Sequence, residues 1–167
     1  MSRKLRKINQ YRRKNKNLIA AKKIQPEKWC ISKSEAQAAL NAQGCNVKEI
    51  KKVHCLKHQV SISYWDIKGN ICSSFFSYRI FSRWQQEVET LIAECQTLKE
   101  WQKLNYLLKY EFAYYHYPSE MAYRLQAALE NRLSLLEDVG QVMKITENPS
   151  QNLSPKTVET LHATSLH

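Results

Sequence analysis

At about residue 79 the hydrophobic period of this chain changes from two to 3.6. Before that point, residues 58–66 (HQVSISYWD) alternate, with Val60, Ile62 and Tyr64 on one side and Ser61, Ser63 and Trp65 on the other. Strict alternation predicts a half-buried strand. After it, Trp84, Val88, Leu91, Cys95, Leu98, Trp101, Leu104, Leu108, Phe112 and Tyr115 recur at spacings of three and four. That spacing predicts amphipathic helix. A block of strands followed by a block of helices defines an α+β chain.

The punctuation between the blocks fixes the elements. Asp66-Ile67-Lys68-Gly69-Asn70 joins the alternating strand to residues 70–78 (NICSSFFSY). Gly69 there supplies the positive φ of a tight hairpin. Residues 47–55 (VKEIKKVHC) are a third strand with a mixed pattern, and Lys57-His58 is its turn. The three strands form an antiparallel meander. Upstream, Ser32 or Ser34 caps a short helix over residues 33–43, which Gly44 ends, and Ser32 with Glu35 three residues on fits a capping box. Downstream, no Gly or Pro interrupts the helical pattern before Pro118. One long helix, or two with a bend near Thr97, is expected, then a last helix over 119–139 capped by Ser119. A break this short predicts an antiparallel helical hairpin, lying over one face of the sheet. The expected division is a basic arm (1–27), a single α+β domain (28–140) and a disordered tail (141–167).

The net charge of +11 is unevenly placed. Residues 1–27 carry +9, residues 28–83 carry +6, and residues 84–167 carry −4. The N-terminal part attracts a polyanion and the C-terminal part does not. The arm holds Arg3, Lys4, Arg6, Lys7, Arg12, Arg13, Lys14, Lys16, Lys22 and Lys23 among Asn and Gln, with Tyr11 able to stack. Lys and Arg neutralise phosphates and release counterions, so this composition points to nucleic acid. Acidic lipid headgroups or an acidic protein are the competing partners. On the sheet, Lys51, Lys52, Lys57 and Lys68, with Arg79 and Arg83 at the start of the long helix, are expected to form a basic rim. Ser61, Ser63, Ser73 and Ser77 with Trp65 are expected to make a polar face carrying one aromatic, able to hold phosphates and stack a base.

Tyr106, Tyr110, Tyr114 and Tyr117 fall on a stripe beside the core residues of the long helix. Exposed tyrosines anchor protein interfaces, so the helical hairpin is expected to contact a partner protein or a second copy. Three glycines and two aspartates are thin material for phosphate-cradling loops or two-metal carboxylate sites. The five cysteines, Cys30, Cys45, Cys55, Cys72 and Cys95, show no CxxC spacing and no nucleophile motif. His54, Cys55 and His58 make only half of a zinc pattern. No cofactor, no metal and no membrane span is expected. The function expected is non-enzymatic nucleic-acid binding in the cytoplasm, with RNA or a ribonucleoprotein favoured over DNA. The rival is a small adaptor or inhibitor acting through the hairpin.

Overall fold

The two hydrophobic periods become two structural blocks in a computed structural model, which describes residues 16–147. The first block is α1 (Lys33–Ala42) with β1 (Val47–Cys55), β2 (Val60–Asp66) and β3 (Ile71–Phe76). The second is α2 (Ser82–Ala93), α3 (Leu98–Tyr114) and α4 (Ser119–Glu147). Short 3-10 turns at Pro26–Lys28 and Tyr78–Ile80 precede α1 and α2.

The sheet is an antiparallel meander in the order β1-β2-β3. Gly69 has φ +83° at the β2–β3 turn. The turn is clamped by the Asn70 backbone N–H and side-chain amide, which donate to the Asp66 carboxylate at 2.8 and 3.0 Å. These bonds favour the ionised form and hold Asp66 below the usual carboxylate range. The mixed pattern of β1 has a physical cause. Its register against β2 slips between Val47 and Glu49 and again between Ile50 and Lys52. Each slip inserts one extra residue, a β-bulge, which resets which side chains face inward. Ile50 is thus buried while Lys51 and Lys52, consecutive in sequence, are both exposed.

Local chemistry also sets the helix ends. The Glu35 N–H donates to Ser32 Oγ at 3.1 Å and starts α1, and Gly44 at φ +78° follows its end. The bend near Thr97 is a complete interruption between α2 and α3. Thr97 Oγ1 accepts the Glu100 N–H, while Glu100 Oε2 accepts the N–H groups of Gln96 and Thr97 at 2.9 and 3.2 Å. The Gln96 N–H is the largest of the influences that hold the Glu100 carboxyl below its usual range. The carbonyl of Cys95, just past the α2 end, accepts Arg132 Nε of α4 at 2.8 Å. The helical part is therefore a three-helix unit in which α4 packs on both α2 and α3. The helix packed on β1 is α1. The last helix also runs on to Glu147, beyond the expected end at residue 139.

The folded body begins earlier than the expected arm boundary at residue 27. Leu18, Ile19 and Ile24 are buried in the same core as Ile50, Val60, Ile62 and Trp84. Residues 17–23 form one turn, with Asn17 Oδ1 accepting the Ala20 N–H at 2.7 Å. Lys22 closes the turn at φ +56°, a left-handed conformation costing a non-glycine residue about 1–2 kcal/mol. Burial of three apolar side chains outweighs that cost, at about 1.5–3 kcal/mol each. Arg3 to Lys14, with Tyr11, and the tail beyond residue 147 lie outside the described residues.

A buried ion pair ties this segment to both blocks. Arg79 and Glu111 are 2 % and 0 % exposed. Arg79 Nε donates to Glu111 Oε2 at 2.6 Å, and Nη2 lies 2.6 Å from the same oxygen. Nη2 lacks hydrogen-bonding geometry there, so the pair is joined through Nε. The other carboxylate oxygen, Oε1, accepts the Leu18 backbone N–H at 2.8 Å. Tyr117 Oη donates to Oε2 at 3.1 Å and accepts the Trp84 indole N–H at 3.0 Å. The guanidinium lies 3.7 Å from the Tyr115 ring centroid and 4.6 Å from that of Trp84. Removing one partner of such a pair strands a buried charge, at a cost of about 3–5 kcal/mol. We expect Glu111→Ala to lower unfolding free energy by about that amount in urea titration. A loss of less than about 1 kcal/mol contradicts this placement.

Candidate nucleic-acid interface

The register of the sheet decides what its solvent face carries. Across β2 and β3, Ser61 pairs with Phe75, Ser63 with Ser73, and Trp65 with Ile71. Across β1 and β2, His54 pairs with Ser61, Lys52 with Ser63 and Glu49 with Trp65. Cross-strand partners share a face, so these nine side chains form one surface, opposite buried Val60 and Ile62. Ser63 Oγ donates to Ser73 Oγ at 3.1 Å in its centre. The bulge brings Lys51 to the same side, with Nζ 4.9 Å from the Trp65 ring centroid, a cation–π distance. Lys52, His54, Ser61 and Ser63 line a shallow depression of about 190 Å³.

The face is more apolar than the sequence pattern indicated. Phe75 is 62 % and Ile71 57 % exposed. Counting by twos from Ser73 places both on the Ser73 side, but the adjacent Phe75-Phe76 pair hides which ring points inward. The structure turns Phe76 toward the core and Phe75 to solvent.

Lys57 is exposed in the β1–β2 turn and Lys68 in the β2–β3 turn, at opposite ends of the sheet. Among the described residues the ion pairs are Arg79–Glu111 and Arg124–Glu120. Lys51, Lys52, Lys57 and Lys68 therefore form no ion pair there, although Lys68 is close enough to favour the ionised Asp66. Two expected rim residues do not join them. Arg79 is withdrawn into the core, where no phosphate reaches it. Arg83 sits half-buried on α2, 5.2 Å from the Trp29 ring centroid, in an open groove with Glu35 and Glu87. That setting mixes both charges.

The tyrosine stripe also divides. Tyr106 and Tyr114 are well exposed, and the Tyr110 ring stacks 4.4 Å from that of Tyr114. Lys16 Nζ lies 5.7 Å from the Tyr110 centroid, while Lys22 and Lys23 are exposed. Tyr117 is no interface residue. It lies past the end of α3, is 7 % exposed, and burial pushes its hydroxyl pKa up strongly.

Among the described residues, no group of three or more His, Cys, Asp or Glu is placed to hold a metal ion. The cysteines are free thiols. Burial pushes the Cys95 thiol up, which favours its protonated form. Comparison with protein-family models, curated proteins and solved structures finds no match in any of the three.

The two kinds of tyrosine separate in a stability measurement. Tyr117→Phe leaves the Trp84 indole N–H without its acceptor and is expected to lower stability by about 1–3 kcal/mol. Tyr114→Phe is expected to stay within about 0.5 kcal/mol of the parent chain. Equal effects in urea titration contradict the assignment.

Proposed function

We propose that this chain is a non-enzymatic nucleic-acid-binding protein, with RNA or a ribonucleoprotein favoured over DNA. The observation that carries this is the group of exposed lysines on and beside the sheet face, Lys51, Lys52, Lys57 and Lys68, none of which is in an ion pair among the described residues. Unpaired cations neutralise phosphates without first breaking an ion pair, and counterion release drives the association. The cations of residues 3–14 add affinity, while the sheet positions the strand. Arm residues rich in Lys, Arg and Asn suit the irregular phosphate surface of folded RNA. We place the protein in the cytoplasm, where free thiols persist. Among the described residues, no helix is long and apolar enough to cross a membrane.

A second reading is favoured by the exposed Tyr106 and Tyr114. In it, α3 binds a partner protein and the chain acts as an adaptor.

Salt dependence separates the two. The chain should bind a mixed-sequence RNA with a log–log slope of several units, at about −0.7 to −0.9 per phosphate neutralised. Deleting residues 1–24 would also remove Leu18, Ile19 and Ile24 from the core. Replacing Arg3, Lys4, Arg6, Lys7, Arg12, Arg13 and Lys14 by Gln avoids that. It should make the slope shallower and weaken binding at least about tenfold at low salt. An unchanged slope removes the arm from the mechanism. No RNA binding, with stoichiometric capture of one protein, favours the adaptor.

A further inference from the structure

We propose that the solvent face of the sheet is a stacking platform for unpaired bases, so that the nucleic acid taken up there is single-stranded. This rests on the nucleic-acid reading above and names its substrate class. Phosphate neutralisation by lysines does not distinguish strand from duplex, whereas the apolar content of this face does. Phe75 and Ile71 are more than half exposed on β3, and Trp65 lies beside Ile71 on β2. A duplex keeps its bases stacked inside and presents phosphates and grooves, leaving an upright phenyl ring without a partner. An unpaired base presents a π face that an aromatic ring can cover.

The layout suits a strand running along β2 and β3. Phe75 sits level with Ser61, and Trp65 is four residues further along β2, roughly 13 Å at the rise of an extended strand. Between these apolar ends lie the hydroxyls of Ser63 and Ser73, donors and acceptors for sugar or base edges. The depression of Lys52, His54, Ser61 and Ser63 adjoins the Phe75 end through the Ser61–Phe75 pair. An ammonium, an imidazole and two hydroxyls there can all donate to a phosphate. Trp65 already has Lys51 above it, whereas among the described residues no cation lies over the Phe75 ring. Phe75 is therefore the first stacking site.

Charge argues against a second copy of this chain as the occupant. Face-to-face pairing brings together two faces that each carry Lys51 and Lys52 against a single acid, Glu49, in a chain of net charge +11. Like charges brought together in this way oppose such a dimer.

The test uses the full chain with labelled oligouridylate, alone and annealed to oligoadenylate, at one fixed salt concentration. Phe75→Ala should weaken single-strand binding by about 5- to 150-fold and leave duplex binding within about twofold. Phe75 is mostly exposed, so the variant keeps its fold, checked by circular dichroism. Lys52→Ala should weaken both complexes, because it removes a phosphate contact. Phe75→Ala that changes neither affinity, or both equally, overturns the platform while the parent chain's binding sustains the nucleic-acid reading. A parent chain that binds neither probe overturns both. A dimer in sedimentation that Phe75→Ala dissolves, with RNA affinity unchanged, also overturns the platform.

Discussion

The contact between Arg79 and Glu111 is where the parts of this protein meet. Arg79 belongs to the turn that leads from β3 into α2, and Glu111 belongs to α3. The carboxylate accepts the Leu18 N–H with one oxygen and the Arg79 Nε–H and Tyr117 hydroxyl with the other. One side chain thereby fixes the N-terminal segment, the exit from the sheet and the end of the helical block. A buried carboxylate is tolerated only where donors surround it. Here they do, and the rings of Trp84 and Tyr115 flank the cation. The contact fixes geometry more than it adds net stability, because desolvation of both charges offsets most of their attraction. Its consequence is positional: the segment before the first 3-10 turn is anchored at Leu18.

The sheet face depends on a second local feature, the bulge in β1. Without the slip between Ile50 and Lys52, residues 50, 52 and 54 share one face. Buried Ile50 and exposed Lys52 then conflict. The extra residue resolves this and delivers Lys51 onto Trp65. Bulges re-aim side chains in this way beside functional surfaces. β2 supplies a clean alternation on which both neighbours take register. A regular strand and an irregular one thus combine to gather cations, hydroxyls and aromatic rings on one surface.

The legibility of these features in the sequence follows their range. The β2–β3 hairpin was legible because Val60, Ile62 and Tyr64 alternate and Gly69 marks the turn. The first turn of α1 and the joint at Thr97 were legible because capping is local. Arg79 was not, since its burial depends on a carboxylate 32 residues away, and arginine without a known partner reads as surface. Tyr117 misled for a related reason: it follows the tyrosine spacing of α3, but the helix ends at Tyr114 and the chain turns it inward. Leu18, Ile19 and Ile24 were outnumbered by the cations around them, so a core segment looked like arm. The bulge that pairs Lys51 with Lys52 left only a disordered pattern, because periodicity identifies regular strands and not their interruptions.

The most direct test of the proposed interface is a heteronuclear NMR titration of the full chain with a short oligouridylate. The account predicts that the perturbed signals cluster on the Trp65 indole and on the backbone of Ser61, Ser63, Ile71, Ser73 and Phe75. Leu125 and Leu129 of α4 should remain still. Perturbations confined to Tyr106, Tyr110 and Tyr114, or none in β2 and β3 at saturation, contradict it.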